Sequence, residues 1–207
     1  MRTGRFIVFE GIDGAGKTTQ LALLEQYLRD RGNRVVRTAE PTDGEIGRLL
    51  RAALAGGSGW SACEMAALFA LDRIRHNTAP QTGIEALLRD GTDVLCDRYY
   101  YSSLAYQGSE IGGDWVAELN LHCPQIRKPD LCIFLDLTPE ESLARILARG
   151  EATEIYETQE KLEQVRAKFL RVLEQLEGRD RIVRISSAGG IEETQAKIRR
   201  AVDALER

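Results

Sequence analysis

The sequence predicts an α/β fold, a three-layer α/β/α arrangement around a five-stranded parallel sheet. Three observations carry this. Five short apolar runs alternate with longer amphipathic stretches, the pattern of parallel strands joined by crossover helices. The first, third and fourth runs are almost continuously apolar, as strands buried on both faces must be. Those three runs end in a carboxylate, Glu10, Asp97 or Asp136, which sets polar chemistry along the C-terminal edge of the sheet.

Taken in order, the strands are expected at Phe6 to Glu10, Arg34 to Ala39, Asp93 to Asp97, Leu131 to Asp136 and Ile182 to Ser186. The clearest helix runs from Thr18 to Arg31, where Leu21, Leu24 and Leu28 share a face and Gly32 supplies a stop. Further helical patterns cover Glu45 to Leu54, Ala62 to Leu88 with a break near Pro80, Trp115 to Leu121, Pro139 to Leu147, Lys161 to Leu176 and Ile191 to Leu205. Between Arg149 and Thr158 the chain is polar and has no apolar period, so this stretch reads as a surface loop, placed where a lid would be. The expected organisation is one domain, residues 1–207, with a lid at about 149–158.

A chain of 207 residues can bury a substantial core without a second domain. Its net charge of −4 and pI near 5.4 argue against general affinity for nucleic acid or an anionic membrane. An anionic ligand must then be held by a local cluster of cations. The four cysteines, Cys63, Cys96, Cys123 and Cys132, form no CxxC pair and have no zinc-site spacing, and Cys96 and Cys132 sit in apolar runs as small core residues. No apolar run of signal-peptide or membrane-spanning length precedes the first motif, so a cytoplasmic location is the expectation.

That first motif is Gly11-Ile12-Asp13-Gly14-Ala15-Gly16-Lys17-Thr18, a Gly-x-x-x-x-Gly-Lys-Thr loop lying between an apolar strand and an amphipathic helix. Its glycines let successive backbone N–H groups turn inward around an anion, and the following helix adds the positive end of its dipole. Lys17 is expected to reach the β- and γ-phosphates of a nucleoside triphosphate and the Thr18 hydroxyl to coordinate Mg²⁺. The predicted ATP-binding set is Gly11, Ile12, Asp13, Gly14, Ala15, Gly16, Lys17, Thr18 and Thr19, with Asp97, through water, as a second metal contact. The fold class is therefore P-loop NTPase-type.

The second informative segment, Asp97-Arg98-Tyr99-Tyr100-Tyr101-Ser102-Ser103-Leu104-Ala105-Tyr106-Gln107, follows the third strand. Together with Phe9 to Gln20, Glu40-Pro41-Thr42-Asp43, Leu68 to Arg73 and Lys128-Pro129-Asp130-Leu131, it resembles the thymidylate kinases, which transfer the γ-phosphoryl of ATP to dTMP. The resemblance runs from about Phe6 to the C-terminal helix. It implies that Asp13 meets the acceptor's sugar hydroxyl and a metal-bound water, that Arg98 binds the acceptor phosphate, and that Phe69 stacks on the pyrimidine while Arg73 donates to its O4. Phe69 and Arg73 are four apart on a predicted helix and face one way. By the same resemblance Ser103 lies near N3 of the base and Tyr106 crowds the 2′ position. A homodimer is implied as well.

Blander alternatives stand beside these roles. Phe69 could be core, Asp97-Arg98 a strand-end ion pair, the three tyrosines simple packing, Asp136 a cap on the following helix, and His76 and His122 solvated or structural. The chain also departs from the family pattern. Gly14 stands where one class carries an arginine in the loop, Ile155 where a similar lid has arginine, and Ala39 where many members have an arginine near the acceptor phosphate. The catalytic set is thus Lys17, Arg98, Asp13 and Arg149 at the lid entrance, with Arg145 in reserve. Arg48 or Arg51 could compensate for Ala39. A related kinase with altered acceptor choice and a nucleotide-binding module without turnover are the competing readings.

Overall fold

The computed structural model describes residues 3–57, 59–149 and 159–205, with the side chains of residues 109, 110 and 149 excepted. The lid region 150–158, including Ile155, and the side chain of Arg149 therefore lie outside the described residues.

The strands are β1 (Phe6–Glu10), β2 (Val35–Ala39), β3 (Asp93–Asp97), β4 (Leu131–Asp136) and β5 (Ile182–Ser186), and all pair in parallel in the order β2-β3-β1-β4-β5. The three continuously apolar strands occupy the centre, where both faces are covered, and β2 and β5, whose side chains are partly exposed, form the edges. Burial on two faces selects the unbroken apolar runs of β1, β3 and β4.

The helices are α1 (Lys17–Asp30), α2 (Glu45–Ala52), α3 (Ala62–Thr78), α4 (Ile84–Arg89), α5 (Tyr100–Tyr106), α6 (Gly108–Ile111), α7 (Gly113–Leu121), α8 (Pro139–Arg149), α9 (Gln159–Leu176) and α10 (Ile191–Asp203). They lie on both sides of the sheet, with α1 against α10 and α5 against α9. Leu21, Leu24 and Leu28 form the buried face of α1, and Gly32 beyond its end takes φ 81. Helix α3 starts with a capping box, Ser61 accepting from the Glu64 N–H while the Glu64 carboxylate accepts from Ser61. Among the described residues, no helix is long and apolar enough to cross a membrane.

The structure adds one helix that the sequence reading did not name and corrects one expectation. Tyr100–Tyr106 is helical, although the sequence shows no helical period there. Asp136 does not cap α8: Thr138 does, its hydroxyl accepting from the Glu141 N–H and donating to the Glu141 carboxylate. Asp136 instead accepts from Arg166 Nε at 2.7 Å and Arg184 Nη2 at 3.0 Å, tying α9 and β5 to the end of β4.

Candidate active site

The parallel register sets the C-terminal ends of β1 and β3 side by side, with Phe9 opposite Asp97. The segments that follow them therefore converge. After β1 the loop turns through Gly11 (φ 145), Gly14 (φ 77) and Gly16 (φ 91), the last serving as N-cap of α1. Glycine is required here for space as well as for φ. A Cβ on Gly11 would meet the Leu135 carbonyl oxygen at 2.7 Å, and one on Gly14 would meet the Ser142 carbonyl oxygen at 2.8 Å. Ile12 and Ala15 are buried in the core, so they can offer a ligand only their backbone.

Lys17 is 8% exposed, and its Nζ donates to the carbonyls of Gly11 (3.0 Å) and Ile12 (3.3 Å) and lies 3.9 Å from Asp13 Oδ1. Burial and the nearby Arg98 lower its pKa, while Asp97, Asp13 and Glu10 oppose that shift. After β3, Arg98 adopts φ 66, a left-handed conformation uncommon outside glycine. Its guanidinium meets Asp13 at 2.5 Å and stands over the Tyr106 ring at 5.9 Å. Among the described residues, Arg98 pairs with Asp13 and not with Asp97, so the strand-end pair is excluded. Burial pushes the Asp13 carboxyl up, but Arg98 and Lys17 outweigh it and hold the group below the ordinary carboxylate range.

Beneath this pair lies Glu10, fully buried at the end of β1. Its carboxylate accepts from the N–H of Tyr99 (2.8 Å), the N–H of Ser102 (3.2 Å) and the Ser102 hydroxyl (2.8 Å). Burial raises its pKa to about 7 despite Arg98, these hydrogen bonds and Lys17.

Two cavities open from the convergence. The first, about 440 Å³, is lined by Asp13, Gly14, Gly16, Lys17, Thr18 and Thr19 of the loop, by Asp97 and Arg98, and by Arg51 across from them. The second, about 640 Å³, is lined by Phe69, Arg73, Ser103 and Tyr106 with Asp13 and Arg98. Both volumes lie in the range of small-molecule sites. Of the predicted residues, Gly14, Gly16, Lys17, Thr18, Thr19 and Asp97 line the first, more polar cavity, Phe69, Arg73, Ser103 and Tyr106 the second, more apolar one, and Asp13 and Arg98 both; Gly11, Ile12 and Ala15 line neither. Of the two possible compensators for Ala39, Arg51 lines the first cavity; Arg48 instead donates to the Asp43 carbonyl. Arg145 reaches the outer side of the loop, its Nη2 donating to the Ser187 carbonyl at 2.7 Å and its Nη1 3.5 Å from the Gly14 carbonyl.

The family whose sequence profile matches residues 9–198 is described as thymidylate kinase. The chain belongs to the thymidylate kinase family. A protein of Pyrococcus horikoshii described as a probable thymidylate kinase is 44% identical over 177 residues, covering 83% of each chain. A probable thymidylate kinase of Methanococcus aeolicus is 43% identical over 170 residues, covering 82% of this chain and 79% of its own. A thymidylate kinase of Xanthomonas oryzae pv. oryzae is 44% identical over 167 residues, covering 80% and 70%.

In this thymidylate kinase family member the structure adds residues that sequence reasoning missed. Glu10 was noted only as a strand end, and Asn120 not at all, though it accepts from Arg73 Nη1. Lys161, in the first turn of α9, lines the second cavity, and its charge helps hold Asp13 down. Asn120 and Lys161 belong to no recognisable motif, being brought in by elements distant in sequence, whereas Glu10 lies within the Phe9 to Gln20 segment but its role under the loop shows only in the fold. Tyr100 and Tyr101 are core residues, both hydroxyls donating to Asp180, while Tyr99 lies under Arg73 with its ring 5.1 Å from the guanidinium carbon. His122 is an exposed partner of Glu118.

Proposed function

We propose that the chain transfers the γ-phosphoryl group of ATP to dTMP, giving dTDP and ADP. The observation that carries this reading is the shared wall of the two cavities: Asp13, Glu40, Pro41 and Arg98 line both. A donor phosphate in the first cavity and an acceptor phosphate in the second would therefore both lie beside Asp13 and Arg98. In this reading the loop amides and Lys17 bind the donor phosphates, Arg98 binds the acceptor phosphate, and Asp13 orients Arg98 and the acceptor sugar. Phe69, Arg73, Ser103 and Tyr106 enclose the nucleoside.

The acceptor oxygen is anionic at neutral pH, so the site needs alignment and charge neutralisation rather than a strong base. The residues on the phosphate side suit Mg²⁺. Asp97 Oδ1 is buried with no hydrogen-bond partner among the described residues, and Thr18 supplies a hydroxyl in the same cavity. Among the described residues no group of three or more His, Cys, Asp or Glu could hold a metal. Mg²⁺ in this reading would be carried largely by phosphates and water, with one or two protein oxygens. Bound there, Mg²⁺ would neutralise charge on the β- and γ-phosphates. Arg149, at the end of α8, is the proposed source of further charge on the transferring group, with Arg145 behind it. A single domain with a lid at 149–158, assembling as a cytoplasmic homodimer, completes the reading.

The test is ADP release with MgATP across a panel of nucleoside monophosphates. Preference for dTMP is expected, and equal rates with dUMP, dCMP and dGMP would refute it. Replacing Arg149 with Ala should cut turnover by roughly a thousandfold while acceptor affinity changes little, as for other arginines that act on the transferring group. Unchanged turnover would remove Arg149 from the mechanism.

A further inference from the structure

Arg73 is 1% exposed, and a guanidinium at that depth requires a carboxylate. Glu40, itself 5% exposed just beyond β2, supplies it: Oε2 accepts from Arg73 Nε at 2.7 Å and lies 2.7 Å from Nη2. The other carboxylate oxygen, Oε1, lies 2.9 Å from His76 Nδ1, and His76 Nε2 lies 2.8 Å from the Thr38 hydroxyl. Arg73 and His76 are three apart on α3 and so share a face, which lets one carboxylate hold both. An ionised carboxylate only accepts, so a neutral His76 carries its proton on Nδ1 and its Nε2 accepts from Thr38. The chain Thr38, His76, Glu40, Arg73 is thus fixed in direction from the second strand to the nucleoside cavity. Arg73 and Glu40 line that cavity; Thr38 and His76 line neither cavity.

We infer that His76 and Thr38 are positioning residues for acceptor recognition: by holding Glu40 they fix the Arg73 guanidinium, so that selection of the pyrimidine base depends on two residues that do not touch it. This rests on the reading of the second cavity as the dTMP site. The chemistry is one of matched and mismatched donors. Arginine can only donate. A guanidinium held in one place rewards a base presenting a carbonyl oxygen and penalises one presenting an amino group, as at position 4 of cytosine. A guanidinium free to turn aside penalises the amino group less. The neighbours on the far side, Ser103 Oγ at 3.3 Å and the Asn120 side chain, limit that movement but carry no charge, so Glu40 remains the dominant restraint.

The experiment uses the full chain with MgATP and measures kcat and KM for dTMP and dCMP in His76→Phe, His76→Asn and Thr38→Val. The loss of one charge-assisted hydrogen bond corresponds to a change of about tenfold. His76→Phe is expected to raise the KM for dTMP by about that factor, with kcat and the KM for ATP within threefold, and to narrow the preference for dTMP over dCMP. His76→Asn keeps an N–H near the Nδ1 position and should recover much of both losses. Thr38→Val should move both in the same direction by less, and it tests the inference even where His76→Phe does not fold. The inference is overturned if folded variants lose thermal stability while KM and base preference stay at wild-type values, or if Asn does no better than Phe. Absence of dTMP preference in the wild-type protein would instead refute the functional reading, and calorimetric titration with dTMP would then show whether the second cavity binds it.

Discussion

Glu10 gives stability a pH dependence that an exposed carboxylate would not. Its pKa of about 7 in the folded protein lies above the ordinary 4.5, so between those values the folded state holds a proton that the unfolded chain has released. Stability from this group therefore falls as pH rises from about 4.5 to 7 and is level above, a loss on the order of 3 kcal/mol. Glu10→Gln should flatten that part of the profile in denaturant melts taken from pH 5 to 8, and an unaltered slope would show that another group is responsible. Gly14 supports a second prediction at this scale. Its φ of 77 and the Ser142 carbonyl 2.8 Å from any Cβ mean that Gly14→Arg cannot simply restore the arginine found in other loops. The variant should lose stability and activity together, in thermal melts and turnover assays; a faster enzyme would contradict the geometry. Position 14 is thus closed to an arginine by the path of the backbone.

At the level of elements, what could be read in advance depended on length and burial. β1, β3 and β4 are buried on both faces, so their apolar runs are unbroken and their limits agree with the sequence reading. The long helices α1, α3, α9 and α10 repeat their apolar face often enough to be recognised, and their ends shift by a residue or two. Helix α5 could not be seen in this way. It has two turns, and Tyr100 and Tyr101 both face the core while Ser102 and Ser103 serve the site, so no single apolar stripe exists. Asp136 shows the complementary limit: a carboxylate two residues before Thr138 looks like a cap, but its partners Arg166 and Arg184 lie 30 and 48 residues away. Asp136→Asn should weaken the attachment of α9 and β5. After solvent screening of these partly exposed arginines, the cost is on the order of 1 kcal/mol, or roughly 2–4 °C in Tm, and it should shrink in high salt.

For the molecule as a whole, the sequence announced the order of the site along the chain but not its closure in space. The loop, Asp97-Arg98 and the Phe69/Arg73 pair were readable because each is a compact motif. Asn120 and Lys161 were not, because α7 and α9 bring them in from far along the chain, and Glu40 was visible in its motif but not as the partner of Arg73. A net charge of −4 coexists with a local gathering of cations because Lys17, Arg51 and Arg98 come together at the first cavity, beside Asp13, Glu40 and Asp97, only on folding. Ligand binding should therefore stabilise the whole fold. At a hundred times its dissociation constant, dTMP is expected to add about 2.7 kcal/mol to unfolding. The same concentration of dGMP should add far less, and equal shifts in thermal melts would place recognition in the phosphate alone.

The left-handed backbone at Arg98 has a consequence for engineering. A library selected for heat resistance would be drawn towards Arg98→Gly, because glycine adopts φ 66 without the steric penalty that arginine bears. Such a winner would also surrender the guanidinium that joins the two cavities. If Arg98 binds the acceptor phosphate as proposed, position 98 is where durability and catalysis ask for different residues, and a selection scheme blind to turnover would drive this fold towards a sturdier protein that no longer works.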